Sequence, residues 1–367
     1  MRNSSLTILL LALLICILSV ISIFSSTYQR ESESWQNIYQ RQILWIVLGV
    51  ALFFTVSSIN YRRFWDWNYF FYISALFFLL LVLILGSVRL GAQRWLRFGW
   101  FNFQPSELVK IVMVIFLARY YSLKNADNVS LLSEKFGFFR AMALPLFFVV
   151  IPMGLIIEQP DLGTGLIILF IFISMVYLSN VKLRYILILL GSILSFMPFA
   201  WYFLRDYQKD RLMVFLNPNV DPLGAGYTVI QSKIAIGSGG FWGKGWLSGT
   251  QSQLRFLPEA HTDFIFATFS EEWGLLGGIV LLLLYYLLIR QGFLIAQRTR
   301  DHFGKLMAFG ISLLLSLQVM INIAMNMGFA PIVGIPLPLM SYGGSSMFVT
   351  FIALGILANI DKRRSVF

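Results

Sequence analysis

Along this chain, long apolar runs alternate with short polar segments. A helix that crosses a membrane needs about 20 mostly apolar residues. Ten segments approach that length: Leu6–Ser26, Gln42–Ser58, Asn68–Ser87, Pro105–Ser122, Ala141–Ile157, Leu162–Ser179, Tyr185–Leu204, Phe264–Ile289, Lys305–Met327 and Met347–Ile360. They predict an all-α, polytopic membrane protein of about ten transmembrane helices. Arg2 ahead of the first run imitates a secretory leader. Leu6–Phe24 is longer than a leader's apolar core of about 7–15 residues, however, and no small-residue cleavage site follows, so an uncleaved first span is expected.

The gaps between the runs set topology. The longest, Arg205–Thr262, separates the seventh and eighth runs and predicts one long loop within a single polytopic domain, residues 1–367. With the N-terminus inside, the cytoplasmic side collects Arg62 and Arg63, then Arg119, Lys124, Lys135 and Arg140, then Lys182 and Arg184, then Arg290, Arg298, Arg300 and Lys305, and finally Lys362, Arg363 and Arg364. The positive-inside rule therefore places both termini in the cytoplasm and the long loop outside. No convincing internal repeat stands out, which weighs against a repeat-built transporter.

Composition agrees. Hydrophobic residues make up 58% of the 367 and charged residues only 12%, against about 25% charged in soluble domains. The net charge of +11 comes from short clusters flanking the runs, which is a topology signal and not a nucleic-acid surface. Cys16 is the one cysteine, so no intramolecular disulfide can form.

Candidate chemistry gathers where the long loop meets the eighth run, in Phe256-Leu257-Pro258-Glu259-Ala260-His261-Thr262-Asp263-Phe264. Ionisable groups at a membrane edge are expensive and mark functional sites by default. Asp263 is either a reacting carboxylate or the cap of the following helix; Glu259 and His261 accompany it, and Glu271-Glu272 lies two turns deeper. Glu107 and Lys110, three residues apart, share one helical face and form either a buried ion pair or a polar cavity lining. Asp161, ahead of Gly163 and Thr164, suits a helix cap or a substrate contact. Arg94 and Arg211 are outer basic residues fit for interfacial anchoring or anion binding. Ile236–Thr250 carries six glycines around Lys244 but fails the P-loop spacing twice. It is either a flexible surface loop or a set of exposed N–H groups for an anion such as a diphosphate. No HExxH or paired-cysteine metal spacing occurs; a divalent cation shared by carboxylates and a diphosphate stays open. Prolines and glycines in Asn322–Ser346 break the helix, and irregular backbone at that depth must line a cavity or be covered by protein.

Five blocks resemble the SEDS (shape, elongation, division and sporulation) family in order: GAQRWLRFGWFNFQPSELVK from Gly91, QPDLGTG from Gln159, the long stretch from Arg211 to Ala267, EEWG from Glu271 and GIPLPLMSYGGSS from Gly334. Gln159 before Pro160-Asp161 and the run from Asn322 favour the elongation (RodA-type) members. The resemblance implies a peptidoglycan glycosyltransferase of the bacterial cytoplasmic membrane that polymerises lipid II, working with a class B penicillin-binding protein on undecaprenyl-linked glycan. It implies Asp263 as the essential carboxylate and Glu107, Lys110 and Asp161 as cavity residues. The chemistry adds Glu259 and His261 beside Asp263, and Arg94, Lys110, Arg211 and Lys244 as partners of the departing diphosphate. A lipid II flippase and a non-enzymatic scaffold for the penicillin-binding protein are the competing readings.

Overall fold

The computed structural model describes residues 3–28, 37–89, 92–99, 101–126, 138–179, 181–224 and 226–363. Each of the ten apolar runs carries a helix. They are α1 (Asn3–Thr27), α2 (Ile38–Ser58), α4 (Asn68–Leu85), α5 (Pro105–Ala126), α6 (Leu144–Glu158, preceded by a π turn, Phe139–Ala143), α7 (Leu162–Leu178), α8 (Leu183–Phe203), α12 (Ile265–Arg298), α13 (His302–Met327) and α14 (Gly344–Arg363). Shorter helices lie between them: α3 (Arg62–Asp66), α9 (Asp206–Leu216), α10 (Tyr227–Ser238) and α11 (Thr250–Gln253). Seven of the long helices are long and apolar enough to cross a membrane, and α7 and Leu183–Phe199 of α8 are apolar but shorter. One large buried cluster joins α1, α2, α4 to α8 and α12 to α14, and α14 is the most enclosed of the candidate spans.

Two features depart from the sequence reading. Residues 87–103, expected to be a connection, form a three-stranded antiparallel meander, β1 (Ser87–Arg89), β2 (Ala92–Phe98) and β3 (Phe101–Phe103). The long loop is also largely built, since α9, α10 and α11 fall inside it.

Many polar residues of the spans face inward, where they find hydrogen-bond partners that lipid does not offer; Thr55, Ser192 and Ser195 instead lie exposed. Ser19, Ser22 and Ser25 of α1 recur every three residues on one buried face. Ser19 Oγ donates to Met340 O (2.6 Å) and accepts from Gln42 Nε2 (3.1 Å), while Ser25 Oγ bonds the carboxylate of Glu272.

The irregular stretch after α13 is covered by protein, as membrane depth requires. Gly328, left-handed at φ 76°, ends α13. Beyond it Asn322 Nδ2 donates to Ile335 O (2.8 Å), Tyr285 Oη to Pro338 O (2.6 Å) and Leu337 N to Ser341 Oγ (2.8 Å).

The glycine-rich segment has a structural task that its sequence did not reveal. Within α12, Gly274 has non-helical angles (φ 64°, ψ −162°) and breaks the helix. Groups orphaned at the break are satisfied by residues 240–245: Lys244 and Gly245 N–H donate to Glu271 O and Glu272 O (both 3.0 Å), and Leu275 and Leu276 N–H donate to Gly240 O (2.9 Å) and Phe241 O (3.3 Å). The amides of Lys244 and Gly245 are thus used by α12 and do not form an anion cradle. A Cβ on Gly243 (φ 84°) would stand 2.1 Å from Glu272 O, whereas one on Gly240 (φ 58°) would meet nothing within 4 Å. Gly243→Ala is expected to lower stability by about 1–3 kcal/mol through strain plus the backbone clash. Gly240→Ala should show only the smaller left-handed penalty of about 1–2 kcal/mol. Thermal melts of the two variants in one detergent check the difference; equal melting points would show that this splice does not hold the break.

Candidate functional site

Asp263 sits in the turn just before α12. The helix N-cap is Phe264, with no side-chain cap bond, so the capping role open to Asp263 is not realised. Its main chain is held firmly instead. Asp263 O accepts from Asn322 Nδ2 (3.1 Å) and Asn326 Nδ2 (3.0 Å), one turn apart on α13. Asn326 Oδ1 accepts from Ala267 N–H (3.2 Å). On the other side Ser341 Oγ donates to Thr262 O (2.7 Å) and Tyr342 N–H to His261 O (2.9 Å). These clamps leave the side chain unencumbered: among the described residues no donor hydrogen-bonds the Asp263 carboxylate. Gly334, at φ 69°, lies beside it; a Cβ there would stand 3.5 Å from Asp263 Oδ2 and 3.7 Å from Arg94 Nη1. The missing side chain keeps open the space that these two groups share.

The surroundings set the charge of this carboxylate. Burial, then Glu259, push its pKa up to about 6; Arg94 and Arg211 pull the other way, and Asp161 adds to the rise. It is therefore ionised at neutral pH yet basic enough to take a proton. Arg94, on β2, donates Nε to Gln159 O (3.1 Å), bonds Pro160 O through Nη2 and lies 4.0 Å from Asp161 through Nη1. Arg211, on α9, donates Nη1 to Ile332 O (3.1 Å) and lies over the Tyr207 ring at 5.7 Å. Burial and the nearby Arg94 depress its pKa, opposed by Tyr207, Asp263 and Asp161.

Of the residues proposed from sequence, Arg94, Asp161, Arg211, Glu259 and Asp263 therefore form one electrostatic cluster. Asp161 also realises its capping role: Oδ1 accepts from Thr164 N–H (3.3 Å), and Oδ2 from Thr164 Oγ1 (2.9 Å) and Ser106 Oγ (3.3 Å). Glu259 is half-buried at φ 49° and accepts from Thr262 Oγ1 (3.0 Å). His261 is buried with its ring 5.8 Å from that of Tyr342. Glu107 and Lys110 pair with each other at 2.6 Å, their side chains 3% and 1% exposed, as a structural ion pair would. Lys244 lies apart from this cluster. Its ammonium is taken by Glu271 (2.7 Å) and Thr250 Oγ1 (2.8 Å), with the buried Glu271 also accepting from Gln251 N–H (3.0 Å).

Asn322 and Asn326 received no role from sequence. Two amides four residues apart on an apolar helix were the available signal, since an intramembrane polar pair on one face is costly unless it has a task.

Residues 4–366 match the family model described as "cell cycle protein", FtsW/RodA/SpoVE. The chain belongs to the FtsW/RodA/SpoVE family. Peptidoglycan glycosyltransferase MrdB of Escherichia coli (strain K12) is 42% identical over 361 residues, covering 98% of this chain and 94% of that one. Peptidoglycan glycosyltransferase RodA of Treponema pallidum is 32% identical, with 97% of each covered. Among solved structures, a chain from a peptidoglycan synthase complex that coordinates polymerization and crosslinking superposes with a TM-score of 0.80 at 32% identity, covering 97% of both. Thermus thermophilus RodA gives 0.70 at 27%, covering 97% and 96%. This FtsW/RodA/SpoVE member is a polytopic, all-α membrane protein, as its apolar runs predicted.

Proposed function

We propose that this protein is a peptidoglycan glycosyltransferase of cell elongation that polymerises lipid II at the outer face of the cytoplasmic membrane, with Asp263 as general base. The observation that carries the residue assignment is the clamped backbone and unencumbered carboxylate of Asp263, facing Arg94 and Arg211. Family membership and the names of the relatives support the reaction class.

The chemistry suits that arrangement. The oxygen of an acceptor sugar hydroxyl attacks the anomeric carbon of the donor, and the bond to the diphosphate-polyprenyl group breaks. The hydroxyl proton passes to Asp263, a step worth about 10²–10⁴-fold. Negative charge grows on the leaving diphosphate, where the donors that Arg94 and Arg211 have left would meet it. Among the described residues no three His, Cys, Asp or Glu side chains form a metal-binding set. A divalent cation would need diphosphate oxygens to complete its shell beside Asp263 and Glu259.

The Lys and Arg distribution supports cytoplasmic termini and an outward Arg205–Thr262 segment. Polyprenyl tails could then stay in lipid while the sugars reach Asp263. The complex that joins polymerization to crosslinking supports a partner of the class B penicillin-binding protein type.

Lipid II polymerisation by the purified protein, followed on a gel of labelled glycan, is the test, and its pH dependence is specific. Initial rates should fall as pH drops through about 6, because a protonated Asp263 cannot accept the hydroxyl proton. Linkage runs the other way for stability. A raised carboxylate pKa contributes stability that is present below the ordinary carboxylate range and lost as pH rises through about 6. Titration of Asp263 therefore cannot lower the rate at acid pH by unfolding the protein. A rate independent of pH between about 5 and 7 would remove Asp263 from the role of base.

A further inference from the structure

At the end of the bundle away from Asp263 lies a cavity of about 610 Å³, walled by Ser58, Asn60, Arg62, Arg63, Asp66 and Arg363. We propose that it binds the phosphate headgroup of an anionic phospholipid in the leaflet opposite the reaction.

Position comes first. The residues just before α14 are tied to His261 and Thr262, and Arg363 ends the helix 20 residues on. At 1.5 Å per residue that is about 30 Å, the thickness of a bilayer's hydrocarbon core. The cavity walls are fixed to one another. Asn359 Nδ2 donates to Ser57 O (2.7 Å), Asn359 Oδ1 accepts from Tyr61 N–H (2.9 Å), and Arg363 Nη2 donates to Ser58 O (3.3 Å). Arginines far apart in sequence thus meet over one cavity, and among the described residues that line it Asp66 is the one carboxylate.

The apolar neighbours point to a lipid and not to a soluble anion. Phe54 on α2 and Phe70, Ile73 and Phe77 on α4 are each more than half exposed, at 56%, 69%, 65% and 59%. Phe70, Ile73 and Phe77, spaced three and four apart on α4, form an outward face along which acyl chains can lie while a phosphate rests among the arginines. Trp67 and Tyr69, also exposed, stand at the polar edge that such side chains favour. Arg290, Arg298 and Arg300 belong to the same end of the bundle, where Tyr61 Oη donates to Asp301 Oδ2 (3.1 Å); they are exposed, as Arg62 and Arg63 are, but line no part of this cavity.

The test uses the full chain in phosphatidylcholine nanodiscs containing a minor fraction of phosphatidylglycerol, with retained lipid counted by native mass spectrometry. The parent should retain phosphatidylglycerol in preference to phosphatidylcholine. Combining Arg62→Gln, Arg63→Gln and Arg363→Gln should lower that preference by about fivefold per arginine. Combining Arg290→Gln, Arg298→Gln and Arg300→Gln should leave it unchanged. Melting in pure phosphatidylcholine reports whether each variant folds. The unsubstituted protein gives an independent readout, because its melting temperature should rise as phosphatidylglycerol is added. Equal losses in the two triple variants, or a parent with no preference, would overturn the site. Displacement of the lipid by inorganic phosphate at matched concentration would overturn its assignment to a phospholipid.

Discussion

Asp263→Asn should reduce glycan synthesis from purified lipid II by about 10²-fold or more, while melting temperature and lipid II binding stay near the parent's. The amide keeps the shape of the side chain but cannot accept a hydroxyl proton. Stability should not suffer, because the carboxylate caps no helix and the Asn322 and Asn326 bonds go to the main-chain carbonyl, which the substitution retains. A capping carboxylate would behave differently, losing about 0.5–2 kcal/mol of stability with activity falling only in proportion. The variant also separates polymerase from flippase, since transbilayer movement of lipid II requires no proton abstraction and should persist in proteoliposomes. Long glycan chains made at the parent's rate by Asp263→Asn would end the assignment and direct attention to Glu259 and His261.

The largest loss of stability is expected from Glu107→Ala. Lys110 would remain 1% exposed with its partner at 2.6 Å removed, and an uncompensated buried charge costs about 3–5 kcal/mol. Thermal melting in detergent is the readout. Replacing both members with apolar residues of similar volume, Glu107→Leu with Lys110→Met, should recover most of that loss, because the pair's Coulomb attraction largely offsets its own desolvation. Were Glu107→Ala to melt like the parent and yet fail to polymerise, the pair would be a substrate contact and not a structural one.

Helix positions were legible because hydropathy adds up locally. Whether a run such as Asn68–Leu85 can enter lipid depends mainly on its own side chains, and Asp161 announced its cap through Thr164 only three residues away. The irregular backbone after Met327 was equally readable from its prolines and glycines, as was the need for protein to cover it. The meander at 87–103 was not, because strands this short satisfy their backbone only through one another.

What the sequence by itself determined about this protein is therefore its class, the order of its helices and the family it resembles, and it singled out the short segment around Asp263 that we propose carries the reaction. Tertiary structure alone decided how the charged groups are used. It paired Lys244 with the carboxylate of Glu271, spliced the break at Gly274 with amides from about thirty residues earlier, and left the Asp263 carboxylate without a donor while fixing its carbonyl to Asn322 and Asn326. The physical reason is that burial in lipid is a sum over neighbouring residues, whereas a hydrogen bond or ion pair depends on which distant residue folding brings within about 3 Å.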